Sequence, residues 1–326
     1  MTRARDLANV ADDVSTGTVV TTASPSLGRR NLIINGGFDI WQRGTSFSAI
    51  GNNVFAPDRW YSTKVATGCT ISRDTGTYSK YAMLITGDAA NTAQSMTQRI
   101  EASTSFNMSL NDHTFSAKVY TSVDRTIAIQ IRSATAEDDF SGNTLQQNTS
   151  VDLVTGWNTV NISVPSVSAY NLGVQLTLAF GTVGAGETVK VEQVQLEVGS
   201  VATPFEHRSY GEELQSCLRY FWQITGASGN KDNFAIGMCH NTTQLFAQVH
   251  FPVAMRIEPT TVAEFDIQAV VAASGYNVSF NSVSDMHEYG GRVTFNADSG
   301  TWTAGNAGIV RVADSASSFI SFDAEL

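Results

Sequence analysis

The chain has no closely spaced cysteine pair of the kind that builds a metal knuckle or a disulfide staple. Its three cysteines, Cys69, Cys217 and Cys239, are scattered through 326 residues. An odd, sparse set argues against both a disulfide framework and a zinc site. No run of about 18 apolar residues is present to span a bilayer, and the opening Met-Thr-Arg-Ala-Arg-Asp lacks the apolar centre of a signal peptide. The expectation is a protein made in a cytoplasm, without membrane insertion. There is no repeat of fixed period, no collagen triplet and no sustained heptad, so solenoids and coiled-coil rods are set aside. Charge is scarce as well, at 15% of residues, and the formal net charge is -10. That balance repels polyphosphate, which removes nucleic acid from the expected partners.

What is present is β pattern. Apolar residues alternate in Phe115 to Val119, Ile127 to Ile131, Val160 to Val164 and Val174 to Phe180, each reading as a strand with one face in a core. Turns rich in Gly, Asn and Asp space these runs as in a sandwich. In Val189 to Val198 the apolar phase is odd through Val191 and even from Val194. That one-residue slip predicts a β-bulge at Glu192-Gln193, which re-aims Glu192. A second alternating block follows residue 233, with runs at Leu245 to Phe251, Tyr276 to Phe280, Arg292 to Asn296, Ile309 to Val312 and Phe319 to Leu326. Pro252 and Pro259 make Phe251 to Thr261 an edge or a loop.

Between the blocks, Ser209 to Gly226 reads as a helix. Ser209 with Glu212 is a capping box, Gly226 suits a left-handed C-terminal residue, and the rod would be roughly 22 Å long. Its apolar stripe carries Tyr210, Leu214, Leu218, Phe221 and Trp222, which are expected to make domain or subunit contacts. The fold class is therefore mainly β. Residues 1–30 form a docking arm and linker, 31–206 a β-sandwich, 207–226 a connector helix, and 227–326 a C-terminal β-sandwich knob.

No catalytic residue is expected. Glu137-Asp138-Asp139 reads as a solvated loop run, and Glu212-Glu213 as a helix first turn, where the dipole favours acids. There is no nucleophile elbow, phosphate loop or pair of histidines at metal-binding spacing. Aromatic residues are the better candidates, because a sugar's C–H face lies well on a Trp or Tyr ring. Trp41, Trp60 and Trp157 stand at strand edges in the first block, and Trp60 beside Asp58-Arg59 reads as core. In the second block Tyr289 and Arg292 lie in a turn-rich loop and Trp302 follows the Asp298-Ser-Gly turn. These three are the expected glycan-binding residues.

Several stretches together resemble phage tail-fibre and related virion proteins. Asn31-Leu-Ile-Ile-Asn-Gly-Gly-Phe-Asp-Ile-Trp-Gln-Arg-Gly44 and Phe55-Ala-Pro-Asp-Arg-Trp60 resemble the opening of such a protein, and Gln193 to Glu206 its closing strand. Glu212 to Phe221 and Phe251 to Thr260 resemble the helix and proline-bounded segment that follow, and Thr2 to Ala8 the start of short cyanophage fibre proteins. The resemblance covers most of residues 31–260. It implies a carbohydrate-binding-module-like jelly roll, a helix and a β knob, assembled as a homotrimer on a virion. It also implies a structural calcium ion between opening and closing strands, at Asp39 and Glu192, although members of that group carry Glu where this chain has Asp39. Residues 1–30 would dock on a phage tail or capsid protein, and the body would meet a host surface glycan. A capsid-decorating or tail-adaptor role is the alternative, and a polysaccharide depolymerase is less favoured.

Overall fold

The computed structural model describes residues 30–66, 68–227, 231–259 and 261–326. The expected docking arm, apart from Arg30, lies outside the described residues. The chain divides into two compact units, the first ending at Arg208 and the second running from Ser209 to Glu325.

The first unit contains β1 (Ser46–Phe47), β2 (Val54–Phe55), β3 (Tyr61–Ala66), β4 (Thr70–Thr75), β5 (Tyr81–Thr86), β6 (Asn91–Ile100), the one-turn helix α1 (Ala102–Ser105), β7 (His113–Thr121), β8 (Arg125–Ala136), β9 (Asp139–Leu153), β10 (Gly156–Val164), β11 (Val174–Gly181) and β12 (Thr188–Val198). The strands form two six-stranded antiparallel sheets, ordered β1-β4-β5-β12-β7-β10 and β2-β3-β6-β11-β8-β9. Strand alternation sends Phe115, Ala117, Val119, Val160 and Ile162 from one sheet, and Ile129, Ile131, Leu176 and Leu178 from the other, into one buried cluster. This is the expected jelly-roll-type sandwich. The bulge is also where the apolar phase placed it. β12 shifts register against β7 between Glu192 and Gln195, and Gln193 turns through φ +53°.

Among the polar residues buried in this sandwich is a histidine. His113 is fully buried, its Nδ1 lies 2.8 Å from the Asn111 carbonyl oxygen, and its Nε2 has no partner. Burial holds its pKa below the ordinary histidine range, against the upward pull of the Asn111 carbonyl and the Asp112 carboxylate. The unfolded chain takes up a proton near pH 6.5 that the folded protein resists, so stability is intact above that pH and declines below it. Urea unfolding at pH 7.5 and 5.5 should show the native protein losing more stability than His113→Gln, by at most about 1.4 kcal/mol per pH unit. Parallel losses in the two proteins would remove His113 as the cause.

The second unit contains α2 (Tyr210–Leu218), β13 (Phe221–Thr225), β14 (Asn233–Cys239), β15 (Gln244–His250), β16 (Thr261–Phe265), β17 (Ile267–Val271), β18 (Ser274–His287), β19 (Gly290–Ala297), β20 (Ala307–Val312) and β21 (Phe319–Asp323). Six strands close into a barrel in the order β14-β15-β19-β18-β17-β20, and β13-β21-β16 make a separate three-stranded sheet. A knob built as a sandwich was expected; the difference is closure. β20 pairs with both β14 and β17, a non-local pairing that leaves the same in-out alternation as a sandwich strand.

The helix is shorter than its apolar spacing predicts. Ser209 and Glu212 form the capping box, but α2 ends at Leu218 and Phe221 to Thr225 turn into β13. Phe-Trp-Gln-Ile-Thr is rich in aromatic and β-branched residues, and pairing along β21 satisfies its backbone. Phe221 is buried, and Trp222 stacks on Phe322 (5.5 Å, 19°) with its edge region against Phe251 (5.6 Å, 78°). Both residues are thus covered within their own unit instead of standing on a helical stripe. Leu214 and Leu218 are half-buried, Cys217 is the helix's fully buried apolar residue, and Tyr210 is exposed.

Candidate functional site

The outward positions of β7 and β10 form a track on the first sandwich. Opposite pairs along it are Tyr120 with Trp157, Lys118 with Thr159, Ser116 with Asn161 and Thr114 with Ser163. Their sequence neighbours Val119, Ala117, Val160 and Ile162 are core residues, so the pleat turns this set to the opposite face. At one end the aromatic groups gather. Trp157 meets Tyr78 at 5.2 Å and 88° and Tyr120 at 5.7 Å and 61°. The Lys118 ammonium lies 5.0 Å from the Tyr78 ring centroid and donates to the Thr159 hydroxyl at 2.7 Å. Tyr78 is 45% exposed, whereas Trp157, Tyr120 and Lys118 are half-buried. Thr159, Asn161 and Ser163 line β10 as exposed hydroxyl and amide groups.

Tyr78 comes from the tight turn between β4 and β5, and the bulge of β12 holds that turn. Glu192 is fully buried. Its carboxylate accepts the backbone N–H groups of Thr77 (2.8 Å), Tyr78 (2.7 Å) and Ser79 (2.7 Å). The Gln193 side-chain amide then donates to the Tyr78 carbonyl at 2.8 Å. The turn needs glycine at position 76, because a Cβ there would collide with the Ser79 carbonyl oxygen. Consecutive N–H groups converging on one carboxylate fix the turn's backbone and hence the direction of the Tyr78 ring.

This arrangement is a poor fit to the expected calcium pair. Asp39 is half-buried beside Lys80 and His207; burial raises its carboxyl above the ordinary aspartate range, and the electrostatic influence of those two neighbours draws it part of the way back. Glu192 has both oxygens committed to backbone N–H groups. Among the described residues no group of three or more His, Cys, Asp or Glu side chains is placed to hold a metal ion. A hard cation wants several free oxygen ligands, and these residues do not fit one.

The expected glycan trio is likewise not assembled. Trp302 is 5% exposed, edge-on to Tyr276 at 5.9 Å, and belongs to the barrel core. Tyr289 is exposed at the β18–β19 turn. The Arg292 guanidinium lies over the Phe246 ring at 4.5 Å, with the Asp285 carboxylate 3.6 Å away. Of the other tryptophans, Trp60 is fully buried, as its neighbours suggested, and Trp41 is nearly so. Sequence reasoning missed Tyr78 and Tyr120. The available signals were an aromatic residue at the tip of Gly76-Thr-Tyr-Ser-Lys80 and one at an outward position of a clearly alternating strand.

The acidic runs take structural duties. Asp138 accepts the Ala102 N–H at 2.7 Å. Asp139 accepts from Ser141, whose hydrogen bonds hold its carboxyl below the ordinary range. Glu212 is occupied by the helix cap. A glycosidase acid needs its pKa raised, the reverse of what is found at Asp139.

No family model and no curated protein matches the chain. Among solved structures it is similar to TmCBM61 in complex with β-1,4-galactotriose, at 15% identity over 52% of this chain and 100% of that one, with a TM-score of 0.34. It is also similar to a family 4 carbohydrate-binding module, at 19% identity over 51% and 98% of the two chains, with a TM-score of 0.34. A third likeness is to the enzymatically active domain of tailspike protein 4 of bacteriophage CBA120, at 12% identity over 52% and 21%, with a TM-score of 0.36. Likeness at this level identifies neither a ligand nor an activity.

Proposed function

We propose that this chain is a non-catalytic, glycan-attaching virion protein, acting as a phage tail fibre that docks through residues 1–30 and assembles as a homotrimer. The glycan reading is carried by one observation, the Tyr78–Trp157–Tyr120 corner opening onto a polar track along β7 and β10. Aromatic faces take the apolar side of a sugar ring, and neighbouring hydroxyl and amide groups exchange hydrogen bonds with its hydroxyls. The virion role is supported by the resemblance of residues 31–260 to tail-fibre proteins. Three copies would multiply a weak single-site affinity through effective concentration.

Trp157→Ala should weaken binding to host surface glycan at least tenfold, about 1.4 kcal/mol per site, while circular dichroism stays unchanged. A glycan array probed with both proteins measures it. Equal binding by the variant would refute the corner as the site, and no binding by the native protein would favour the decorating or adaptor role. Light scattering of the intact protein tests the homotrimer.

A further inference from the structure

The glycan reading leaves open which sugars fit, and the charges around the corner narrow the choice. Lys118 presents an ammonium group between the Tyr78 ring and Thr159, and among the described residues no carboxylate pairs with it. Its neighbours are otherwise engaged. Lys190 is bound to Asp74 at 2.6 Å. Glu192, directly across from Lys118 in the β7–β12 register, has both oxygens on the Thr77 to Ser79 backbone. Lys80 sits over the Tyr81 ring instead. In a chain of net charge -10, the aromatic corner therefore carries an ammonium group that has no ion-pair contact among the described residues.

Ring geometry adds a second restriction. Trp157 and Tyr78 stand perpendicular and in contact, which makes a corner instead of a coplanar strip. A flat crystalline polysaccharide surface touches one plane, whereas a corner accepts a residue of a free chain and orients the substituent that projects from its ring.

We infer that the site takes an anionic sugar residue of a soluble glycan, stacked in the Trp157–Tyr78 corner with its carboxylate or sulfate on the Lys118 ammonium. This rests on the corner being the glycan site. The remaining donors of Lys118 face an acceptor of opposite charge, a stronger hydrogen bond than a neutral hydroxyl provides. The ammonium serves as a point charge, so carboxylate and sulfate share the required chemistry.

The test is calorimetric titration of the full chain with three probes of equal length: oligogalacturonate, sulfated oligogalactose and neutral oligogalactose. At least one anionic probe should bind ten or more times tighter than the neutral one. That preference should shrink several-fold between 50 and 500 mM salt, since Debye screening acts on the ionic part alone. Lys118→Met should remove the preference, costing the anionic probes a several-fold larger loss than the neutral one, and Trp157→Ala should weaken all probes. The acceptor of the tighter probe identifies carboxylate or sulfate as the natural group. Equal affinity for neutral and anionic probes, or an equal loss on both in Lys118→Met, overturns the anionic assignment while leaving the glycan site standing. Anionic preference that survives in Lys118→Met places the cation elsewhere and also overturns it. Absence of binding by all three probes counts against the glycan site itself.

Discussion

Glu192→Ala should lower the stability of the protein by about 4 kcal/mol. A hydrogen bond to a charged group contributes roughly 1.5–3 kcal/mol, and this carboxylate receives three of them from consecutive residues. The groups on the turn regain water once the side chain is removed, so the sum is discounted from its upper bound. Glu192→Gln keeps one carbonyl acceptor but turns an NH2 group toward backbone donors, and should lose about 2 kcal/mol for that reason. Chemical denaturation followed by tryptophan emission measures both variants. Sugar binding supplies the second readout. With its turn released, Tyr78 no longer meets Trp157 edge-on, and affinity should drop even at temperatures where the variant is fully folded. A stability loss below about 1 kcal/mol, or a variant that binds as well as the native protein, would show that the turn holds its shape without the carboxylate.

The same residue shows how far the sequence could be read. A bulge leaves a mark in one dimension, because a one-residue slip moves every later apolar side chain to the other parity. Val191 and Val194 are both buried despite opposite parity, so the bulge at Glu192-Gln193 was legible. What the slipped carboxylate meets was not, since the Thr77 to Ser79 turn belongs to a hairpin distant in sequence that meets β12 only through sheet pairing. The corner was hidden for the same reason. Trp157 stood out as an aromatic residue at a strand edge, but Tyr120 reaches it only through the β7–β10 pairing and Tyr78 only through the β4–β5 turn, so no local pattern shows that the three meet. Trp302 erred in the opposite direction. It follows a Ser-Gly turn, which reads as exposed loop, yet barrel closure places it against Tyr276 and under cover.

Helical spacing misled at Phe221 and Trp222 because their positions satisfy two periods at once. They continue the Leu214, Cys217 and Leu218 series, and they also open a β-branched, aromatic run suited to a strand. Tertiary pairing decides between the two, and here it is the in-register match of Trp222 with Phe322 and of Phe322 with Val262 across β13, β21 and β16.

Phe322→Ala follows from that placement. Phe322 is fully buried on the central strand of its sheet, with Trp222 stacked on it and Phe251 edge-on at 5.1 Å. Truncating a buried Phe removes transfer energy and leaves a cavity, for about 3–5 kcal/mol. The loss should far exceed that of Tyr289→Ala, an exposed turn residue expected to change stability by no more than about 0.5 kcal/mol. The double-mutant cycle with Trp222→Ala is more pointed. Rings stacked within one sheet should couple by about 1 kcal/mol beyond the separate effects. Were Trp222 instead on a helical stripe reserved for a second subunit, the two losses would simply add, and the Trp222→Ala effect would grow with protein concentration as the assembly formed. Additive losses independent of Phe322 would therefore return Phe221 and Trp222 to the helix and to the role of subunit contacts.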